Sequence, residues 1–259
     1  MENQSLSKQV KNSSSNSIKY YSYNFYKTNT DNGAKVAREL YLIINNIIKP
    51  KSVVDVGCAS GIFLKQFKKA KILGIDGFWI KDEQLQIPRK NFLRLDFTKK
   101  LPKLDKKFDV AMCFETAEHL DKIYANNFIK FLCSLSDVVI FGAAIPKQIG
   151  THHVNEQWQS YWAQKFSKNG YEHIDCIRGR LQQKLPLGVG GPYKQNILMY
   201  VKKDKASQFK NANMPILDLV SPDYWLERNN PKFVPYHLII GGAVNLPYKL
   251  IRYLKIKLL

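Results

Sequence analysis

The chain is poor in acid, poor in cysteine and without any long apolar run. Its 259 residues hold 21 Asp and Glu against 40 Lys and Arg, a formal net charge of +19. The four cysteines, Cys58, Cys113, Cys133 and Cys176, stand far apart. No Cys-x-x-Cys pair is available to hold zinc, and reduced, buried thiols are expected. No stretch approaches the roughly 20 apolar residues that span a bilayer. Residues 1–19 are polar and lack the apolar core of a signal peptide, so they read as a disordered lead-in to a cytoplasmic protein. RNA-binding sheet motifs, zinc fingers and long arginine tracts are missing too. The lysines are spread along the chain, which speaks against nucleic acid despite the charge. An anionic membrane surface or a phosphorylated substrate remains a fitting partner.

What is present is a chain with 45% hydrophobic residues, enough for one good core plus extensions. Apolar runs alternate with amphipathic stretches, the pattern of a mostly parallel sheet covered by helices. Helices are predicted over about Gly33–Lys49, Ser60–Ala70, Asp121–Leu135 and Glu156–Asn169. Strands are predicted at Val53–Val56, Lys71–Asp76, Phe92–Leu95, Phe108–Cys113 and Val138–Gly142. Two more, near Tyr171–Ile177 and Asn196–Val201, are expected to pair antiparallel at one edge.

The run Val53 to Leu64 reads as strand, glycine turn and helix start. Gly57 and Gly61 carry no side chain, so a ligand can lie against the backbone there. Asp55 falls at the carboxyl end of its strand, where open α/β sheets bind ligands. The next strand ends on Asp76, placed to accept hydrogen bonds from ribose hydroxyls. The spacing is Asp-x-Gly-x-x-x-Gly. The three-glycine Gly-x-Gly-x-x-Gly step that surrounds a dinucleotide pyrophosphate is absent.

In these residues the chain resembles class I S-adenosylmethionine-dependent methyltransferases, over about Ala34 to Val201. The resemblance implies a Rossmann-like sheet of seven strands, mostly parallel, with helices on both faces and an antiparallel edge hairpin. It implies a domain over residues 20–203. It implies that Asp55, Gly57, Cys58, Gly61 and Asp76 line the cofactor, with Asp96 receiving the adenine amino group and Phe97 packing on the ring. Glu115 opens a Glu-x-x-Glu-His-Leu segment at the reactive end. The Asn/Asp-Pro-Pro-aromatic motif of enzymes that methylate base or amide nitrogens is absent, which favours an oxygen or carbon acceptor.

The second cluster, His152 to Ala163, resembles a segment of bacterial methyltransferases associated with cell-surface polysaccharide synthesis. Asn155, Trp158, Tyr161 and Trp162 are the expected acceptor contacts, with Trp158 and Trp162 four apart on one helical face; packing of that face on the sheet is the alternative. A sugar hydroxyl needs a base or a metal to take its proton. His119, His152, His153 and Glu156 are the candidates for that chemistry. Glu115, Glu118, His119 and one of His152 or His153, His152 being the first choice, resemble the Mg²⁺ or Mn²⁺ site of certain RNA 2′-O-methyltransferases.

Beyond Lys203, five prolines interrupt the chain. Residues 248–259 form a basic amphipathic pattern suited to an anionic inner membrane face or to docking on the domain itself. The expected activity is O-methylation of a small-molecule or lipid-linked sugar. An RNA 2′-O-methyltransferase and a non-catalytic cofactor-binding or membrane-associated scaffold are the alternatives.

Overall fold

The structure, a computed structural model, describes residues 30–105, 107–148, 150–209 and 217–221. The chain divides into two compact units, 1–219 and 220–259, and the sheet, its helices and the site belong to the first. The polar lead-in and the amphipathic pattern of residues 248–259 lie outside the described residues.

Helix α1 (Thr30–Ile47) leads into strand β1 (Ser52–Val56). Strands β2 (Lys71–Asp76), β3 (Phe92–Arg94) and β4 (Val110–Phe114) follow, then helix α2 (Ala125–Leu135) and β5 (Val138–Gly142). Helix α3 (Gln159–Lys168), β6 (Tyr171–Ile174), helices α4 (Arg178–Lys184) and α5 (Gly191–Asn196), and β7 (Leu198–Lys202) complete the domain. The order across the sheet is β3-β2-β1-β4-β5-β7-β6. The first five strands run parallel, and β7 runs antiparallel to both β5 and β6. The edge pair is joined through α4 and α5 instead of a tight turn.

Burial follows from alternation. Val53 faces one apolar cluster with Val36, Leu40 and Ile44 of α1 and Leu181 of α4. Val54 and Val56 face the other, with Phe128 and Leu132 of α2 and Trp162 and Phe166 of α3. Strands buried on both faces read as continuous apolar runs, which is why β1, β4 and β5 stand out in the sequence. The strand order reverses between the paired strands β1 and β4, and in such sheets ligands bind outside the carboxyl ends at that point.

The predicted helix over Ser60–Ala70 is not formed. Turns fill the segment, with a single 3-10 turn at Leu64–Gln66. Gly61 holds a left-handed φ of +82° and donates to the Cys58 carbonyl at 2.8 Å, which stops a helix from starting before it. Leu64 and Phe67 are still buried, a three-residue spacing that a 3-10 turn satisfies as well as an α-helix.

Candidate functional site

Three positive-φ residues, Gly57 (+79°), Ala59 (+48°) and Gly61 (+82°), shape the turn after β1. A Cβ on Gly57 would sit 2.1 Å from Thr116 Oγ1, so the turn packs directly on the segment after β4. That contact brings the residues expected to line a cofactor and the Glu-x-x-Glu-His segment together. Asp55 is buried, with Oδ2 lacking a hydrogen-bond partner among the described residues. Cys58 is buried against Gly74, where a Cβ would meet its Sγ at 2.7 Å. Burial, then the Asp76 and Asp55 carboxyls, push its thiol well above the ordinary range, so it lines the turn without acting as a nucleophile.

Asp76 closes the turn. Oδ2 accepts from the Ala59 N–H at 2.6 Å and Oδ1 from the Gly77 N–H at 2.6 Å, and the Trp79 side chain donates as well. Burial still raises its pKa to about 6. Asp96, half-buried, spends Oδ1 on Thr98, accepting from its N–H at 2.9 Å and its hydroxyl at 2.6 Å. Phe97 corrects its expected role: its ring is turned into the core, 5.3 Å from Phe128, and does not form an adenine face.

Past β4, Glu115 adopts φ +46°. Its Oε1 accepts from Asn196 Nδ2 at 2.9 Å and its Oε2 from Gln148 Nε2 at 2.7 Å. Gln195 joins the same buried network through Gln148 and Asn196. Gln148, Gln195 and Asn196 were not foreseen. The only signal for Gln195 and Asn196 was the polar run Lys194-Gln195-Asn196 abutting an apolar strand, where side chains must be satisfied internally; Gln148 had none.

Glu118 is fully buried, and neither carboxylate oxygen has a hydrogen-bond partner among the described residues. Burial, followed by the Glu115 carboxylate, drives the group well above the usual carboxylate range. Its carbonyl accepts from the N–H groups of Val154 and Asn155 at 2.9 and 3.0 Å, which ties the His152–Glu156 loop to the β4 outlet. His119 Nδ1 lies 3.2 Å from the His152 carbonyl. A carbonyl only accepts, so that nitrogen carries the hydrogen. Burial and the neighbouring His153 lower the His119 pKa to about 4, leaving a neutral ring. The His119 and His153 rings meet edge to face at 4.9 Å. His153 Nδ1 pairs with Glu156 Oε1 at 2.9 Å, and Glu156 Oε2 accepts from the Lys147 N–H at 2.7 Å. His153 lies against Gly150, where a Cβ would sit 2.2 Å from Nε2.

One ligand atom from each of Glu118, His119 and His153 lies within 4.8 Å of the others. This corrects the expected metal set. Glu115 is committed to Asn196 and Gln148, and His152 turns its carbonyl, with φ +58°, toward His119 while its side chain is exposed. The expected aromatic face is corrected as well. Trp162 is 2% exposed and packs on Phe141, whereas Trp158 is 42% exposed. Tyr161 stands edge-on to Trp162, with Lys165 and Lys122 4.4 and 5.6 Å from its ring centre. Asn155 is buried, its Oδ1 accepting from Gln157 Nε2 at 3.1 Å.

Asp55, Asp76, Glu115 and Glu118 are all held above their ordinary pKa range, with burial the largest cause for each. A cradle of under-neutralised carboxyls around a backbone turn fits a ligand that brings positive charge, as a sulfonium with an amino group does.

Comparison with known proteins agrees. The model of the methyltransferase-domain family matches residues 28–180. No curated protein matches the chain. Among solved structures it is similar to DesVI from Streptomyces venezuelae, at 13% identity and a TM-score of 0.50 over 68% of this chain and 94% of that one. A Nostoc punctiforme protein described as an O-methyltransferase gives 14% identity and a TM-score of 0.50, over 69% of this chain and 59% of its own. At these identities the likeness speaks for the fold. With more than half of its length matched by that family model, the chain belongs to the methyltransferase-domain family.

Proposed function

We propose that this enzyme transfers its methyl group to a hydroxyl oxygen, and that the acceptor is a sugar or glycan precursor. S-adenosylmethionine, when bound, supplies a methyl group that is already electrophilic. The protein's task is to align the acceptor oxygen and remove its proton. The observation that carries this reading is the His153–Glu156 pair, set beside His119 and Glu118 at the outlets of β4 and β5. Glu156, held by the Lys147 N–H, fixes the His153 ring through Nδ1. Nε2 is then the nitrogen that receives the hydroxyl proton, and the Glu156 carboxylate steadies the cation that forms. Trp158, exposed just ahead of α3, offers an apolar ring face to a sugar. A cytoplasmic enzyme with residues 248–259 resting on an anionic inner membrane face would reach lipid-linked acceptors.

Labelled S-adenosylmethionine supplied with nucleotide-sugar, lipid-linked glycan and RNA fractions tests this directly. Label is expected in a glycan fraction. Label confined to RNA, or cofactor binding with no transfer anywhere, overturns it. His153→Ala is expected to lower kcat by about 100- to 10,000-fold while S-adenosylhomocysteine still binds within about twofold of the parent.

One observation favours a second reading of the same cluster. Glu118, His119 and His153 present a carboxylate and two imidazoles within 4.8 Å, with Glu118 buried and unpartnered. Carboxylate and imidazole together suit Mg²⁺ or Mn²⁺. His153 would then be a ligand backed by Glu156, and the acceptor hydroxyl would lose its proton beside the cation. Activity lost in excess chelator and restored by Mn²⁺ selects this reading, and full activity in chelator discards it.

A further inference from the structure

We infer that Trp79 is a cofactor-site residue, and that its indole holds Asp76 in place of the ribose until the cofactor displaces it. The inference rests on the assignment of S-adenosylmethionine as methyl donor.

The argument is one of acceptor capacity. An ionised carboxylate offers about four acceptor positions. On Asp76 three are filled: the Ala59 N–H at 2.6 Å, the Gly77 N–H at 2.6 Å and the Trp79 side chain. A ribose diol brings two hydroxyl donors, one more than the carboxylate has left. One of the three present donors must leave. The Gly77 N–H follows directly on the last residue of β2 and is fixed by it. The Ala59 N–H belongs to a turn pinned at both sides, with Gly57 donating to Ile75 at 2.7 Å and Gly61 to Cys58 at 2.8 Å. Only the indole sits on rotatable bonds.

The chain around it fits that role. The backbone after Trp79 is anchored, because Arg94 donates to the Ile80 carbonyl at 2.8 Å and pairs with Asp82 at 2.5 Å. Motion is therefore confined to the Trp79 side chain. Gly77 makes the docked position possible, since a Cβ there would lie 2.1 to 2.4 Å from three atoms of the indole's six-membered ring. A residue three places beyond the ribose acid thus covers the backbone on which that acid ends. Asp76 is 5% exposed under this cover.

Trp79→Phe keeps a ring of similar shape and removes the N–H. With one competing donor gone, S-adenosylhomocysteine is expected to bind about three- to tenfold more tightly, the size of one hydrogen bond's net contribution. In the parent, titration with S-adenosylhomocysteine should give a saturable change in tryptophan fluorescence that Trp79→Phe abolishes. Far-UV circular dichroism and a melting curve on the variant confirm that it folds. Equal fluorescence changes in both proteins overturn the inference, because the indole then does not move. Weaker binding by Trp79→Phe overturns it too, since the indole would then be a platform for the cofactor instead of a placeholder. If the parent binds no S-adenosylhomocysteine at all, the assignment of the donor fails, a result separate from either of these.

Discussion

Asp76 shows how a single side chain links stability to the cofactor. Burial raises its pKa from 3.8 to about 6, against the hydrogen bonds from Gly77 and Ala59. Between those values the folded protein holds a proton that the unfolded chain has lost, so stability falls as pH rises through that window. The cost at neutral pH is on the order of 3 kcal/mol. His119, lowered to about 4, acts in the opposite sense: there the unfolded chain holds the extra proton, and stability falls as pH drops. The clean measurement is thus a difference. The stability of Asp76→Asn minus that of the parent, from urea unfolding without cofactor, should grow from pH 4 to pH 7 by roughly 2 to 3 kcal/mol. A difference that stays flat with pH rules out the raised pKa. At this scale the sequence was legible where the chemistry is local. Gly57 and Gly61 adopt positive φ, as an open turn requires, and Asp55 and Asp76 end up buried around it. It was illegible where neighbours compete. Nothing local says that His152 will take φ +58° and give its carbonyl to His119 while His153 turns its ring inward.

At the scale of elements, β1, β4 and β5 were legible because each is buried on both faces, and apolar side chains leave no other option. Helix reading was weaker, since spacing tells which residues share a face but not which side of the helix the sheet will claim. In α3 that choice buries Trp162 against Phe141 and leaves Trp158, just ahead of the first turn, in solvent. The two tryptophans should therefore separate cleanly. Trp162→Ala empties a core site and is expected to cost about 3–5 kcal/mol in chemical denaturation. Trp158→Ala should leave stability within about 0.5 kcal/mol and raise the acceptor KM with S-adenosylhomocysteine affinity unchanged. Equal destabilisation by both would mean that Trp158 is part of the core. An unchanged KM would remove Trp158 from the acceptor site. Between Ser60 and Ala70 the spacing of Leu64 and Phe67 fitted a helix and a 3-10 turn alike, and the left-handed φ of Gly61 decided for the turn.

For the whole molecule, the question is where the enzyme ends and what the rest of the chain adds. A change of composition after Lys203 marks one boundary in the sequence, yet contacts continue beyond it. The Leu217 carbonyl accepts from Arg178 Nη1 at 3.1 Å, the Leu219 carbonyl accepts from Gln159 Nε2 at 3.0 Å, and Asp218 Oδ1 accepts from the Ser160 N–H at 2.8 Å. Arg178 and Gln159 are 3% exposed. Removing these partners leaves Gln159 Nε2 and Arg178 Nη1 with their longer bonds to the Gln195 carbonyl, at 3.3 and 3.4 Å, at a cost of about 1 kcal/mol each, which no sequence pattern announces because the partners are main-chain carbonyls. A chain ended at Phe209 should therefore melt at least about 5 °C below one ended at Leu219. Comparing the full chain with the one ended at Leu219 isolates the basic tail. Lys249, Arg252, Lys255 and Lys257 follow one another after Phe233 with no acid among them, and each is worth about 1 kcal/mol near an anionic surface. The full chain should sediment with phosphatidylserine vesicles at low salt, and the chain ended at Leu219 should stay in solution while still binding S-adenosylhomocysteine. If both chains sediment alike, the membrane contact lies on the methyltransferase domain, and the net charge of +19 acts through its surface instead of its tail.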